Sequence, residues 1–201
     1  MKGDTMLQTN WSQDAYLQAW DFACLAHRGQ VYKGPQADIV YEYSNHPAAV
    51  AMEIIHALPQ HPEYNGDFTI QCALLHDTLE DTAVTYAQLE ATFGRAVADG
   101  VSALSKDTSL PKGVQMEDSL RRICQQPREI WLVKLADRTN NLQYVPPHWS
   151  SDKVKAYRAQ AWMILETLGT ASPALAQRLA EHIGRYAVSL LPSTTLRERA
   201  G

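Results

Sequence analysis

A histidine stands directly before an aspartate in an apolar stretch of the chain, and two further acids follow about one helical turn later. His76 and Asp77 follow three apolar residues at 73–75. Glu80 and Asp81 lie four positions after His76 and Asp77, respectively. Burying a histidine and an aspartate is costly unless each is hydrogen-bonded, paired or bound to a metal ion. If the stretch is helical, each of the two acids lies over one member of the pair. The pattern is consistent with a metal or acid–base site, and equally with a solvated acidic turn beside a satisfied core histidine.

Two other segments contain polar residues that could join this pair. Asp137 interrupts an apolar helical stripe, with Lys134 one turn before it and Asn141 one turn after it. His46 stands at the predicted start of another helix. Taken alone, Asp137 is compatible with a loop cap or an ion pair with Arg138. A lone histidine at a helix start is more often a capping or surface residue than a ligand, so neither segment is diagnostic by itself.

Together, these segments supply four candidate metal ligands of mixed type. They are two histidines and two aspartates on three predicted helices, namely His46, His76, Asp77 and Asp137. Four protein ligands leave coordination positions free on an octahedral ion, as a hydrolytic centre requires. The set therefore suits Mn²⁺, Fe²⁺ or Zn²⁺ in a hydrolytic role better than it suits a closed structural site.

The elements that must position these residues are predicted from the spacing of apolar side chains. Apolar residues recur at three- and four-residue steps along most of the chain, which is typical of amphipathic helices. Ser12 is a candidate N-cap, as is Ser150 or Ser151, and Gly94 and Pro146 are expected to end helices. We predict helices over 12–28, 46–58, 67–79, 85–93, 95–105, 115–126, 128–145, 151–168 and 172–191.

No stretch alternates polar and apolar residues for long enough to predict a sheet. Residues 34–45 form the most irregular segment, in which 41–43 could make at most a short extended piece. The chain contains no linker rich in Gly, Pro or Ser and no internal repeat. We therefore predict one all-α domain over 1–201, a bundle of about eight to ten helices with its core over about 10–190.

The composition excludes several classes of protein. The 201 residues carry 18 basic and 22 acidic side chains, a formal net charge of −4, without the basic excess of non-specific nucleic-acid binders. No apolar run approaches the roughly 20 residues that cross a bilayer, and no secretion signal opens the chain. Cys24, Cys72 and Cys124 are scattered and are expected to be reduced. We expect a cytoplasmic protein that binds neither nucleic acid nor membrane.

These motifs and their neighbours resemble a known family. The pattern of His46, His76-Asp77 and Asp137 resembles the HD phosphohydrolase superfamily, and the flanking residues resemble the hydrolase domain of RelA/SpoT-type alarmone enzymes. The stretch 149–182 resembles the stand-alone small alarmone hydrolases, including the metazoan form. The resemblance spans roughly residues 10–190, and its motifs lie at 26–30, 32–34, 45–51, 73–82, 93–106, 133–138 and 153–157.

The resemblance implies an HD-domain helical bundle with a defined activity. Such an enzyme holds one Mn²⁺ with the four candidate ligands and takes part in the stringent response. It removes the 3′-pyrophosphate from guanosine tetra- or pentaphosphate (ppGpp or pppGpp), giving GDP or GTP and pyrophosphate. Glu80 and Asp81 match the family's acidic pair, which orients or deprotonates the attacking water. The alternative for these two residues is a pair of ordinary acids at a helix end.

The resemblance also implies contacts with the substrate. The lysine and arginine side chains that stand at positions matching the family pattern would contact phosphate oxygens. For each of them the alternative is a surface charge exposed to solvent. For Arg138, pairing with a metal-binding carboxylate is a further alternative. Asn141 matches a position near the nucleoside, and Tyr157 matches one that could stack or hydrogen-bond there. The predicted substrate-binding residues are Tyr32, Lys33, Lys134, Arg138, Asn141, Lys153 and Tyr157.

This chain departs from the family pattern at positions that face the substrate. Tyr32 stands where the family has the arginine of an Arg-Lys pair, several extra residues lie between Lys33 and His46, and Tyr144 replaces a threonine. None of these changes touches the predicted metal ligands, so hydrolysis remains the expectation while the base of the nucleotide stays open.

Two other hypotheses remain open, of which the first is motivated by Tyr32. The first keeps the chemistry but changes the substrate, to an adenosine alarmone (ppApp) or the 2′-phosphate of NADPH. The second is a non-catalytic nucleotide sensor. The chain leaves no room for the family's synthetase domain, so we expect it only to degrade its substrate. The sequence makes no prediction of the oligomeric state.

Overall fold

Ten α-helices and one two-stranded sheet make up the computed structural model, which describes residues 10–36 and 38–188. The all-α class is confirmed, with a helix count at the upper end of the expected range. None of the described helices combines the length and the apolar character required to cross a membrane. The helices are α1 Gln13–Ala26, α2 Asn45–Ala57, α3 Gly66–Leu75, α4 Thr78–Asp81, α5 Tyr86–Phe93, α6 Arg95–Leu104, α7 Gln115–Ile123, α8 Arg128–Asn141, α9 Ser151–Leu168 and α10 Pro173–Val188. The strands are β1 Val31–Lys33 and β2 Val40–Glu42.

Capping side chains explain where several helices begin. The hydroxyls of Ser12 and Ser150 accept hydrogen bonds from backbone N–H groups in the first turns of α1 and α9, as predicted. Thr85 and Gln88 form a capping box at the start of α5. Gly94 joins α5 to α6 with a φ of 86°, a conformation that glycine adopts without steric cost. Local sequence therefore sets these boundaries.

The predicted helix over 67–79 is wrong at its C-terminal end, because α3 stops at Leu75 and α4 begins at Thr78. His76 Nδ1 lies 2.8 Å from a carbonyl oxygen of the preceding turn, and Thr78 Oγ1 donates to the carbonyl of Leu75 at 2.7 Å. In a continuous helix these carbonyl oxygens would accept hydrogen bonds from backbone N–H groups. Because side chains bind them instead, a break in the helix is favoured. His76 and Asp77 therefore lie between two helices rather than along one straight face.

Two other predicted helices end earlier than expected. The helix predicted over 115–126 ends at Ile123, and the one predicted over 128–145 ends at Asn141. Past each end the backbone forms turns, in which the Gln126 N–H donates to the carbonyl of Ile123 and the Gln143 N–H to the carbonyl of Asn140, and the later Pro127 and Pro146 keep the helices from resuming. Residues 189–191 of the last predicted helix lie outside the described residues.

A short antiparallel sheet forms where none was predicted, so that expectation was wrong. Tyr32 of β1 pairs with Tyr41 of β2, and the Gly34 N–H donates to the carbonyl of Ile39 at 2.8 Å across the connecting turn. Strands of three residues are too short to show alternation, and cross-strand aromatic pairs stabilise them instead. The sheet places Tyr32 and Tyr41 beside the start of α2.

Helices α3 and α8 form the centre of the fold. α3 packs against α1, α2, α6 and α8, and α8 also contacts α2, α9 and α10. Buried residues such as Ile70, Leu74, Leu132 and Leu135 fill the contacts, each stabilising the fold by about 1.5–3 kcal/mol. Because α2, α3 and α8 all contact one another, they can bring polar groups from distant parts of the sequence together.

A two-bond ion pair joins α2 to α10. The Arg178 guanidinium donates to both carboxylate oxygens of Glu53, at 2.5 and 2.6 Å, and Glu53 is 9% exposed. We expect Glu53→Gln to lower the free energy of unfolding by about 1–2 kcal/mol, because it replaces a buried, charged acceptor of two hydrogen bonds with a neutral amide that can accept only through its oxygen, while the Arg178 side chain is itself 45% exposed and partly screened by solvent. Urea unfolding of both proteins measures the difference.

The matched control is Glu166→Gln on the exposed side of α9, which should change the free energy of unfolding by less than about 0.5 kcal/mol. Equal stabilities for Glu53→Gln and Glu166→Gln would show that the pair joining α2 to α10 contributes nothing.

Candidate active site

The four candidate metal ligands meet at one point of the fold. His46 lies in the first turn of α2, His76 and Asp77 lie in the break between α3 and α4, and Asp137 lies within α8. The Nε2 atoms of His46 and His76 are 3.2 Å apart. Asp77 Oδ2 is 3.4 and 3.0 Å from these two nitrogens, and Asp137 Oδ1 is 3.5 and 3.7 Å from them. Two nitrogen and two oxygen atoms therefore converge.

This arrangement fits a divalent metal ion. Metal–ligand bonds of about 2.0–2.2 Å place neighbouring ligand atoms roughly 3–3.6 Å apart, which is close to the observed spacing. His46, His76 and Asp77 form a group whose donor atoms could hold one ion, and Asp137 Oδ1 adds a fourth donor beside both histidines. The Nε2 atoms of the two histidines lie 3.2 Å apart, and a cation between them would accept a lone pair from each.

Hydrogen bonds on the far side of each imidazole orient it toward the cluster. His46 Nδ1 lies 2.7 Å from Asn140 Oδ1, and His76 Nδ1 lies 2.8 Å from the carbonyl oxygen of Ala73. In both pairs the oxygen can only accept, so Nδ1 carries the hydrogen and Nε2 is directed at the cluster. Such partners fix the tautomer and orientation of metal-binding histidines. The sequence prediction did not include Asn140.

The charges of the cluster favour a cation at its centre. Burial alone would lower the pKa of His46, but hydrogen bonds to Asp137 and Asp77 raise it to about 10. Burial would raise the pKa of Asp77, but the two histidines hold it well below its usual range. The pKa of Asp137 is likewise lowered against burial, first by the charge of Lys134, whose Nζ donates to Oδ2 at 3.0 Å. The carboxylates thus stay ionised, as metal ligands must.

The two acids of α4 have different surroundings, which corrects the expectation that they share one helical face with His76 and Asp77. Glu80 accepts two hydrogen bonds from Lys106, one from Nζ at 2.7 Å and one from the backbone N–H at 2.9 Å. Asp81 Oδ2 instead lies 3.0 Å from the hydroxyl of Tyr43. Burial and the charge of Asp77 raise the pKa of Asp81. Asp81 is therefore the member of the pair that is electrostatically coupled to the ligand cluster.

Two adjoining cavities meet at this cluster, and Tyr43, His46 and Asn141 line both. The larger, of about 620 Å³, is lined by aromatic and amide side chains, and the smaller, of about 180 Å³, by charged ones. The larger includes Tyr32, Tyr41, Tyr43, Tyr144, Trp149, Asn45, Asn140, Asn141 and Gln143. The smaller includes Lys106, Lys134, Arg138, Asp77, Glu80, Asp81 and Asp137. One region is suited to a flat heterocycle and the other to an anion beside a metal.

The predicted substrate-binding residues fall into three groups, according to whether they line the larger cavity, the smaller cavity or neither. Tyr32 and Lys33 line the larger cavity. Lys134, Arg138, Asn141 and Tyr157 line the smaller one, and Asn141 lines both. Lys153 lines neither cavity, because its Nζ lies over the Trp149 ring, 4.1 Å from the centroid. Lys153 therefore supports the aromatic wall of the larger cavity instead of pointing into it.

Arg138 is a buried cation without a carboxylate partner among the described residues. Its guanidinium lies 4.0 Å from the centroid of the Tyr157 ring, and no described group hydrogen-bonds its Nε. Lys134, and not Arg138, pairs with the carboxylate of Asp137. Arg138 thus retains donors for an anion in the smaller cavity.

Three residues that hydrogen-bond the side chains of the candidate ligands or of the acids of α4 escaped the sequence prediction, namely Tyr43, Lys106 and Asn140. Tyr43 donates to Asp77 Oδ2 at 2.6 Å, and Lys106 binds Glu80 from the segment after α6. Only Lys106 carried a signal, because it belongs to a motif of the family resemblance. The contacts themselves join residues far apart in the chain, which spacing alone does not reveal.

Comparisons with known proteins show the family of this chain and relatives of the same fold. The chain matches a family model described as an HD domain over residues 19–173. A zebrafish (Danio rerio) guanosine-3′,5′-bis(diphosphate) 3′-pyrophosphohydrolase, MESH1, is 34% identical over 173 residues, covering 82% of this chain and 90% of that protein. The bifunctional (p)ppGpp synthase/hydrolase SpoT of Escherichia coli is 34% identical over 177 residues, which is 85% of this chain and 22% of SpoT. A solved structure of a metazoan ortholog of SpoT, described as hydrolysing ppGpp, superposes with a TM-score of 0.73 at 24% identity, over 87% of this chain and 97% of that one.

Proposed function

Because this chain belongs to the HD-domain family, we propose that it removes the 3′-pyrophosphate from ppGpp or pppGpp, giving GDP or GTP and pyrophosphate. The observation that carries the proposal is the convergence of two histidines and two aspartates at the junction of an aromatic and a charged cavity. We likewise propose that residues 1–201 belong to a single HD-type phosphohydrolase domain. The reaction class is metal-assisted hydrolysis of a phosphoryl bond.

His46, His76, Asp77 and Asp137 would hold the metal ion. A divalent ion at such a site supplies a water of lowered pKa and neutralises charge on phosphoryl oxygens. Mn²⁺ is the ion we propose, on the family resemblance, and the mixed donor set also suits Fe²⁺ or Zn²⁺. Asn140 and the carbonyl of Ala73 would keep the Nε2 atoms of both imidazoles available to such an ion.

Asp81 is the residue we assign to take the proton from the attacking water. Partial burial and the charge of the neighbouring Asp77 raise the pKa of its carboxyl, which makes it a better base than an isolated aspartate. Glu80 is bound to Lys106 and so has less freedom to accept that proton. Glu80 instead holds Lys106 at the edge of the smaller cavity.

Three cations of the smaller cavity would meet the pyrophosphate that leaves. Lys106, Lys134 and Arg138 line it beside the ligand cluster, and the guanidinium of Arg138 has donors to spare. Cations fixed around a phosphoryl group stabilise the charge that develops during its transfer. The smaller cavity is therefore suited to the phosphate end of the substrate.

The nucleoside would occupy the larger cavity. Its volume of about 620 Å³ is within the usual range for small-molecule sites, and its tyrosines and Trp149 offer faces for stacking. The amides of Asn140, Asn141 and Gln143 can hydrogen-bond the edge of a base or a ribose hydroxyl. Lys33 supplies a cation for a 5′-phosphate at this end.

A second candidate keeps the chemistry and changes the nucleotide to ppApp or NADPH. The observation that favours it is Tyr32, which presents an uncharged ring to the larger cavity, 5.6 Å from the ring of Tyr41. Aromatic faces stack on guanine and adenine alike, because every base has a π-face. A non-catalytic sensor is disfavoured, because all four ligands and both acids of α4 are present.

A substrate panel tests the proposal. Initial rates with Mn²⁺ are measured for ppGpp, pppGpp, ppApp and NADPH, with release of pyrophosphate and orthophosphate assayed separately. We expect ppGpp to have the highest kcat/KM and to release pyrophosphate. A higher kcat/KM for ppApp or NADPH would favour the second candidate. The absence of turnover with Mn²⁺, Fe²⁺ and Zn²⁺ on every nucleotide would contradict both.

A further inference from the structure

The hydroxyl of Tyr43 lies between two carboxylates of the site. It donates to Asp77 Oδ2 at 2.6 Å and lies 3.0 Å from Asp81 Oδ2. The first is the oxygen that faces both histidines, and the second belongs to the carboxylate that we assign to the attacking water. Within the part of the chain that the structure describes, no other side chain hydrogen-bonds the Asp81 carboxylate. The hydroxyl has one hydrogen, which it shares between the two oxygens in a bifurcated hydrogen bond with Asp77 as the nearer acceptor, and so it links the metal-binding group to the acid–base group.

The Tyr43 ring is itself held in place. It stacks on the imidazole of His27 with 4.6 Å between ring centroids, and His27 Nδ1 lies 2.8 Å from Gln30 Oε1. The same Gln30 donates from Nε2 to the backbone carbonyl of Asp81 at 2.7 Å. The backbone carbonyl of Gln30 accepts a hydrogen bond from the Tyr43 N–H at 2.9 Å. Tyr43 and Asp81 are thus fixed by one assembly that joins the end of α1, the sheet and α4.

We propose that Tyr43 is a positioning residue for hydrolysis, which holds the carboxylate of Asp81 in a fixed place relative to Asp77. The inference rests on the function proposed above. α4 has only four residues and Asp81 lies partly open to solvent, so without the hydroxyl its carboxylate can rotate away. A small displacement of a group that must meet one water molecule lowers the rate of the chemical step.

The test compares Tyr43→Phe with Tyr86→Phe. Both substitutions remove a tyrosine hydroxyl that donates to an aspartate at 2.6 Å, but Tyr86 binds Asp99 and lines neither cavity. At saturating Mn²⁺ we expect Tyr43→Phe to lower kcat by about 10–100-fold with KM within about twofold, as for other residues that support metal ligands. Tyr86→Phe should leave kcat unchanged, and both variants should keep the wild-type melting temperature within about 2 °C.

Two further readouts separate positioning from a general structural role. If Tyr43 acts through Asp81, Tyr43→Phe causes little further loss of kcat in an Asp81→Asn background, which a double-mutant cycle measures. Because Tyr43 also donates to the donor oxygen of Asp77, we expect Tyr43→Phe to weaken Mn²⁺ binding about tenfold in competition with a chelator. This binding measurement does not depend on turnover.

Three outcomes would overturn the inference. They are a Tyr43→Phe enzyme with kcat within twofold of the wild type, losses that multiply fully with those of Asp81→Asn, and unchanged affinity for Mn²⁺. A wild-type protein without turnover would overturn the proposed function and this inference with it. An active wild type beside an equally active variant would overturn the role of Tyr43 alone.

Discussion

Replacing His76 with alanine is expected to abolish hydrolysis, with kcat reduced by at least about a thousandfold, or roughly 4 kcal/mol of transition-state stabilisation. His76 Nε2 lies 3.0 Å from Asp77 Oδ2 and 3.2 Å from His46 Nε2, at the centre of the cluster. The residue is 2% exposed, so no other described side chain can move in to replace it without repacking the core. The substitution also removes one of the four proposed ligands, and with it an imidazole that lowers the pKa of both Asp77 and Asp137.

The measurement pairs kcat with metal content determined by elemental analysis. The control is His56→Ala near the C-terminal end of α2, an exposed histidine whose removal should alter neither quantity. Circular dichroism of both variants establishes that the helices remain. A His76→Ala protein that retained a stoichiometric metal ion and more than about a tenth of wild-type kcat would show that the cluster is not the catalytic centre.

Replacing Asp81 with asparagine is expected to lower kcat by about 10²–10⁴-fold, the range for loss of a general base. Glu80→Gln is expected to cost less, about tenfold, because Glu80 is held by two hydrogen bonds to Lys106 and does not contact the ligand cluster through Tyr43. The reason for the difference is electrostatic coupling, since the charge of Asp77 and burial raise the pKa of Asp81.

Both variants are compared at saturating Mn²⁺, where any change in metal affinity no longer affects kcat. Asp152→Asn is a suitable control, because the Asp152 side chain is 94% exposed on α9 and lines neither cavity. If Glu80→Gln proved more damaging than Asp81→Asn, the roles assigned to the two acids would have to be exchanged.

Local physical signals predicted the helical part of the fold well. Ser12, Ser150 and Gly94 mark helix boundaries through capping bonds and a positive φ that involve only neighbouring residues. Three- and four-residue spacing of apolar side chains reflects burial on one side of each helix, which holds wherever the partner helix lies. Both signals are contained in short windows of sequence.

The errors arose where side chains compete with the backbone or where an element is very short. His76 and Thr78 bond carbonyl oxygens of α3 and break the helix that apolar spacing extended to residue 79. The sheet depends on a cross-strand pair of tyrosines in strands of three residues, which leave no periodic pattern. Neither effect is visible from hydrophobic periodicity.

The candidate site, like the fold, could be predicted only where the sequence carries a local signal. The four candidate ligands were predicted because their residue types are costly to bury and recur in a family pattern, and the structure brings their donor atoms within 3.0–3.7 Å of one another across five measured pairs. Tyr43 and Asn140 act through contacts with residues 34 and 94 positions away, which a single sequence does not specify. Lys153 was assigned to phosphate from its position in a motif, whereas its Nζ packs on Trp149.

The most direct test of the account is ³¹P NMR of ppGpp incubated with the purified protein, first stripped of metal and then supplied with Mn²⁺. We expect no reaction without metal, and with Mn²⁺ the stoichiometric appearance of GDP and inorganic pyrophosphate, absent from the His76→Ala protein. Intact ppGpp after metal addition, or orthophosphate released in place of pyrophosphate, would contradict the proposed reaction.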